Sequence, residues 1–136
     1  MPILAAASGW GGRFSMIARS VHHVSFAVAD LERSMAFYEG LLGLERIERP
    51  DIGIPGVWFG AGAAEIHLIE HAESAGGPAK KSPVSNHCAF AVDDLDEVME
   101  DLEAIGIDLL AANPAFGQCW IEDPDGNVIE LIAPPG

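Results

Sequence analysis

The chain has 136 residues, of which 49% are hydrophobic, so it is long enough to form one domain around an apolar core. Its formal net charge is −14, from 7 basic and 21 acidic residues. A chain this acidic repels nucleic-acid phosphates and anionic membranes, so we expect neither as a partner. The negative electrostatic field of the chain suits a neutral or cationic small molecule better than an anionic one.

Residues 1–20 differ in composition from the rest of the chain. They are rich in Ala, Gly and Ser, and their first apolar stretch, Ile3–Ala7, is short and follows no basic segment. We therefore predict a flexible N-terminal extension or an added strand rather than a signal peptide or a membrane span. Cys88 and Cys119 form no CxxC pair and lie among apolar neighbours, which indicates buried free thiols and fits a cytoplasmic protein.

Two segments of the chain repeat each other. His23 and Phe26 align with His87 and Phe90 at one constant spacing, and the residues around them align at the same spacing. Toward the end of each half the spacing shortens by one residue, and His67 then aligns with Glu130. Self-similarity of this length predicts two copies of one supersecondary unit.

The first copy has the pattern of a βαβββ module. Val21–Val28 alternates between faces and predicts a strand. Asp30 is a suitable N-cap and Gly43 a suitable end for the helix between them. Apolar residues recur there at helical spacing: Leu31, Met35, Tyr38, Leu41 and Leu42. Further strands are predicted at 44–47, 57–60 and 64–70, with a loop at 50–56.

The second copy follows the same order. A strand at 86–92 and a helix at 94–105 are predicted, and then strands near 107–111, 117–122 and 127–132. Asp123-Pro124-Asp125-Gly126 predicts a tight turn before the last strand. The organisation is therefore an extension (1–20), a first module (21–70), a linker (71–85) and a second module (86–134), with 21–134 forming one α+β domain.

Strand alternation predicts polar residues on the face away from the helices. Val24 and Phe26 face the helix, so His23 faces away from it, and the same pattern recurs in the second copy. Four polar residues share this position: His23, His67, His87 and Glu130. Small neighbours leave space above them, and two such sheets that curl together form a curved cup.

Three imidazoles and one carboxylate are a competent ligand set for a divalent metal ion such as Zn, Ni, Fe or Mn. An octahedral ion keeps two positions open for water or substrate, where it polarises a carbonyl or lowers the pKa of water. We interpret the two remaining histidines, His22 and His71, as structural or solvated.

Aromatic residues precede each of the two later ligand candidates. Trp58 and Phe59 lie in the strand before His67, and one of them must face the cup. Gln118 and Trp120 share a face in the strand before Glu130. We predict Trp58, Gln118 and Trp120 as substrate-binding residues of a small, partly apolar pocket, the alternative being that the aromatic rings belong to the core.

Four segments resemble the vicinal oxygen chelate superfamily, which includes glyoxalase I, bleomycin-resistance proteins and extradiol dioxygenases. The resemblance covers residues 21–134 and implies two βαβββ modules that form a curved mixed-sheet cup. The matching segments are His22–Leu44, Ile66–Glu70, Asn86–Leu95 and Asp123–Leu131.

The resemblance also implies roles for the four polar residues. His23 and His87 match the metal ligands in the first strand of each module, and Glu130 matches the final carboxylate ligand, which also serves as a catalytic base. His67 departs from the pattern, because glyoxalase I-like members carry Glu there and epimerase-like members often carry Gln. This departure argues against a true glyoxalase I, since Glu130 alone remains as the base. His23, His87 and Glu130 also match the two-histidine, one-carboxylate triad of the dioxygenases.

The resemblance implies a metal-dependent enzyme that acts on a small oxygenated substrate by lyase, isomerase or dioxygenase chemistry. The alternative is a drug-binding resistance protein of the bleomycin-resistance type without turnover, which the net charge favours and the four ligand positions oppose. We expect a homodimer, because two four-stranded sheets leave open edges. Whether the metal site lies within one chain or between two remains open at this level.

Overall fold

The computed structural model describes residues 17–72 and 80–134. Residues 1–16 of the predicted extension and residues 73–79 of the predicted linker lie outside the described residues. Within the described ranges, no helix combines the length and the apolar character needed to cross a membrane.

The first module forms a four-stranded mixed sheet with one helical segment. The strand order is β1-β4-β3-β2, in which β1 and β4 are parallel and the other neighbours are antiparallel. Its elements are β1 (His23–Val28), α1 (Leu31–Met35), a π-helical segment (Ala36–Leu41), β2 (Glu45–Ile47), β3 (Gly56–Ala61) and β4 (Ala64–Glu70).

The second module repeats this topology. Its strand order is β5-β8-β7-β6, with β5 parallel to β8. Its elements are β5 (His87–Ala91), α2 (Leu95–Ala104), β6 (Ala111–Asn113), a 3-10 turn (Pro114–Phe116), β7 (Gln118–Glu122) and β8 (Val128–Ile132). The prediction of an α+β fold built from two βαβββ modules is confirmed.

The predicted helix ends are present in both modules. The side chains of Asp30 and Asp94 accept hydrogen bonds from the third residue beyond each, both at 3.1 Å, as N-caps do. Gly43 and Gly106 follow the helices with φ of 76° and 80°, a conformation that favours glycine.

Two elements differ from the prediction. The helix predicted over 31–42 widens after Met35, where Leu42 N–H donates to the Phe37 carbonyl, five residues back, at 2.9 Å. The strand predicted near 107–111 is wrong in position, since β6 begins at Ala111. The cause is that Ile107 N–H is used at the end of α2, donating to the Leu102 carbonyl at 2.9 Å.

One core joins the two modules. The helices and the apolar faces of both sheets contribute to it, and its buried members are Val28, Phe37, Tyr38, Val57, Phe59, Ile66, Leu68, Leu95, Leu102, Cys119, Ile121, Ile129 and Leu131. Because side chains alternate along a strand, the polar face of each sheet lies on the side away from this shared core.

The turn before β8 fastens the second module to the first. Tyr38 Oη donates to Asp123 Oδ2 at 2.7 Å. Asp125 accepts from the backbone N–H of Ala29 at 3.0 Å and from Ser34 Oγ at 3.3 Å. Both carboxylates are buried. The predicted turn is therefore also an intermodule contact, which we call the acidic lock (Asp123 and Asp125).

Candidate metal centre

Strand β4 presents two polar residues on the face away from the core. Ile66 and Leu68 are buried in the core, so Glu65 and His67 point to the opposite side. In the register of the first sheet, His67 lies beside Trp58 on β3, and Glu65 lies beside His23 on β1.

Three rings form a stack on this face. His67 lies 4.1 Å from Trp58, measured between ring centroids, with an interplanar angle of 5°. On the opposite side of the His67 ring, the His23 ring lies at a centroid distance of 4.1 Å and an interplanar angle of 11°. Phe59 is fully buried in the core. Trp58 is thus the aromatic residue of β3 that faces the polar side.

Polar contacts surround the stack. His67 Nε2 lies 2.9 Å from Glu65 Oε1, and His23 Nδ1 lies 2.9 Å from Nδ1 of His22, an exposed residue that meets it edge-on. The hydrogen bond from His67, and then the nearby imidazoles of His22, His67 and His23, lower the pKa of Glu65. We call His23 and His67 the first half-site.

Sequence reasoning missed Glu65. The available signal was its spacing of two residues from His67, which places both on one face of a strand.

The second sheet holds a histidine–carboxylate pair. His87 Nε2 lies 3.0 Å from Glu130 Oε1, and Gln118 Nε2 donates to Glu130 Oε2 at 3.1 Å. Glu130 is only 6% exposed. His87 Nδ1 lies 2.7 Å from the Ser85 carbonyl oxygen, which can only accept, so Nδ1 carries a proton and Nε2 is the nitrogen that faces Glu130. We call His87 and Glu130 the second half-site.

Trp120 lies beside Glu130 in the register of β7 and β8, the position that Trp58 has beside His67. Its side chain is buried, and its Nε1–H finds no hydrogen-bond partner among the described residues. Unpaired buried donors are rare in proteins, so this N–H is suited to an incoming oxygen atom.

The structure brings the four candidates together as two pairs. His23 lies with His67, and His87 lies with Glu130. Across residues 17–72 and 80–134, no three His, Cys, Asp or Glu side chains are grouped so that they could hold one metal ion. Within these described ranges, the two half-sites therefore do not combine into one metal site.

The cysteines lie apart from this chemistry. Cys119 is fully buried and Cys88 is half-buried, and both are free thiols. Burial raises the pKa of both thiols, so neither is activated as a thiolate.

Known proteins resemble this chain both in sequence and in fold. Residues 20–131 match the family model described as the Glyoxalase/Bleomycin resistance protein/Dioxygenase superfamily. Glyoxylase I 4 of Arabidopsis thaliana is 33% identical over 120 residues, covering 82% of this chain and 69% of that protein. Lactoylglutathione lyase of Haemophilus influenzae is 32% identical over 130 residues, covering 81% and 89%. A crystal structure from Bacillus anthracis, assigned to the glyoxalase family, has a TM-score of 0.72 at 28% identity and covers 90% of this chain and 100% of that one.

Proposed function

Since the chain belongs to the Glyoxalase/Bleomycin resistance protein/Dioxygenase superfamily, we propose that it is a divalent-metal-dependent enzyme acting on a small oxygenated substrate. The reaction is a lyase, isomerase or dioxygenase step. One observation carries this proposal: equivalent positions of two repeated sheets supply three imidazoles and one carboxylate.

The donor set fits a borderline divalent ion. His23, His67, His87 and Glu130 would hold Zn, Ni, Fe or Mn. The orientation of His87 supports this fit, because its Nδ1–H is used by the Ser85 carbonyl and its Nε2 faces a carboxylate. When bound, such an ion polarises a substrate carbonyl or lowers the pKa of a bound water.

Glu130 is the residue that we assign to proton transfer. It is the one carboxylate among the four proposed ligands, because position 67 holds an imidazole. Its buried Oε2 is held by Gln118, which fixes the direction of the carboxylate. A proton that leaves the substrate next to its carbonyl is accepted by Glu130 and returned by it.

The flanking residues bind and orient the substrate. Trp58 and Trp120 provide flat apolar walls on the two sheets. The unpaired Nε1–H of Trp120 donates to a substrate oxygen, and Gln118 adds an amide at the same edge of the site.

We propose that the complete site forms between two copies of the chain. The first half-site of one copy faces the second half-site of its partner in a homodimer. Each half-site alone offers two ligands, fewer than the three or four protein ligands of typical metal sites. The shared core keeps the polar faces of one chain apart, so a second copy is the direct way to bring His67 close to Glu130.

Elemental mass spectrometry of the purified protein tests the metal proposal. We expect about one ion per chain, as for a four-ligand site, and loss of that metal in His67→Ala and in His87→Ala. His71→Ala is the matched control, because it removes an exposed imidazole outside the proposed ligand set. A protein that takes up no added Zn, Ni, Fe or Mn contradicts the proposal. Bound iron directs substrate screening toward dioxygen chemistry, and nickel or zinc directs it toward isomerisation.

The second candidate is a small-molecule-binding resistance protein without turnover. The net charge of −14 favours it, since it attracts cationic drugs. Binding of a cationic drug such as bleomycin by metal-free protein, unchanged in His67→Ala, supports this function in place of the enzyme.

A further inference from the structure

We infer that Glu65 is a positioning residue of the metal centre, which orients His67 for metal binding. This inference rests on the proposed function, since it assigns His67 as a ligand. The contact that carries it is the hydrogen bond of 2.9 Å between His67 Nε2 and Glu65 Oε1.

Stacking alone cannot orient the His67 ring. Trp58 and His23 lie on its two sides at 4.1 Å and hold its plane. A half-turn of the ring about its Cβ–Cγ bond preserves that plane, and it exchanges the nitrogens for carbon atoms. The stack therefore accepts two orientations of which only one directs Nε2 to Glu65.

The hydrogen bond to Glu65 selects both the orientation and the tautomer. A carboxylate only accepts, so the neutral ring of His67, which is the form that binds a metal, donates its Nε2–H and has Nδ1 as its bare nitrogen. A bare nitrogen is what a metal ion requires, and the second ring nitrogen of a metal-binding histidine commonly donates to a carboxylate or a carbonyl. His67 is only 6% exposed, so water does not readily replace this acceptor.

The second half-site supports the same principle with a different partner. The ring of His87 is oriented by the Ser85 carbonyl, which also lies two residues before its histidine. In the register of the second sheet, the position equivalent to Glu65 is Val128, which cannot accept a hydrogen bond through its side chain. Glu65 is thus specific to the first module, where position 67 is an imidazole.

Three variants separate positioning from charge. Glu65→Ala removes the acceptor, whereas Glu65→Gln removes the charge but keeps an oxygen that accepts from His67. Glu45→Ala is the matched control, because Glu45 and Glu65 flank Gly60 in the register and share one face of the sheet. Thermal unfolding of each variant checks that it is folded.

Two measurements read out the role of Glu65. The imidazole ¹⁵N NMR spectrum of metal-free protein, assigned by comparison with His67→Ala, reports the tautomer of His67. Calorimetric titration with Zn²⁺ reports the affinity for metal. We expect one Nε2–H tautomer in the wild type, Glu65→Gln and Glu45→Ala. In Glu65→Ala we expect mixed tautomers and Zn²⁺ binding weakened about 10- to 100-fold, as for other residues that orient ligands.

The outcomes are separable from those of the proposed function. An unchanged tautomer and unchanged Zn²⁺ affinity in Glu65→Ala overturn this inference and leave the metal site standing. Equal losses in Glu65→Gln and Glu65→Ala also overturn it, because the negative charge and not the acceptor would then matter. A wild-type protein that binds no Zn²⁺, Ni²⁺, Fe²⁺ or Mn²⁺ overturns the proposed function itself.

Discussion

At the residue scale, Tyr38 shows how one buried hydroxyl connects the two modules. It is fully buried, packs near Phe26 and Phe59, and donates to Asp123. Burial, and then the negative charge of Asp123, raise the pKa of Tyr38 well above its usual range. The folded protein therefore keeps this phenol protonated under conditions where the unfolded chain ionises it.

An alkaline titration tests this state of Tyr38. It is the one tyrosine of the chain, so tyrosinate absorbance reports it alone. Because its folded pKa is raised, the stability that it confers is complete below its ordinary pKa of about 10 and declines as pH rises above that value. We expect tyrosinate to appear only together with unfolding, followed by circular dichroism. Titration near pH 10 in a protein that stays folded contradicts this assignment.

Most residues of the candidate site could be predicted from the sequence, but their hydrogen-bond partners could not. Alternation places His67 on the polar face, because Ile66 and Leu68 are apolar. The contact between His67 and Glu65 depends on side-chain rotamers, which a pattern of apolar and polar residues does not specify. The bond from Tyr38 to Asp123 joins residues 85 positions apart, and no local periodicity reports it.

At the scale of elements, the acidic lock makes the β7–β8 turn part of the packing between modules. Asp125 accepts from Ala29 N–H near the end of β1 and from Ser34 Oγ on α1. The turn residues were predictable from Pro124 and Gly126, which favour a tight turn. The contacts of this turn with the first module were not predictable, because they depend on how the two modules are placed relative to each other.

Removal of the lock should lower stability. In Asp125→Ala the Ala29 N–H and the fully buried Ser34 hydroxyl lose their acceptor, so we expect a loss of about 1–3 kcal/mol in the free energy of unfolding. Urea denaturation measures it. Arg46→Ala is the control, because it breaks an exposed pair with Glu39 that we expect to contribute about 0–1 kcal/mol. Equal stability of the two variants would show that the lock contributes nothing specific.

The helix ends explain which element boundaries were predictable. Asp30, Asp94, Gly43 and Gly106 act locally, and their positions fix where the helices begin and end. The position of β6 was mistaken because the apolar residues after Gly106 resemble a strand. Sheet pairing starts only where Leu110 N–H donates to the Trp120 carbonyl, at 2.7 Å, and that long-range contact lies outside any local pattern.

At the scale of the whole molecule, the shared core decides where the half-sites face. Alternation along a strand reveals which residues share a face, but it does not reveal how two sheets pack against each other. Here both apolar faces enter one core with the helices, and the polar faces point away from it. The sequence therefore left open whether the site lies within or between chains, and the separation of the half-sites favours a site between chains.

We propose that one metal site draws His23 and His67 from one chain and His87 and Glu130 from another. The most direct test pairs two differently tagged variants, one carrying His23→Ala with His67→Ala and the other carrying His87→Ala with Glu130→Gln. Elemental analysis of the isolated heterodimer, beside each homodimer and the wild type, gives the answer. We expect both variant homodimers to be free of metal and the heterodimer to hold half the metal of the wild-type dimer, because one intact site is rebuilt from the two chains. A heterodimer without metal, beside a loaded wild type, would contradict the claim.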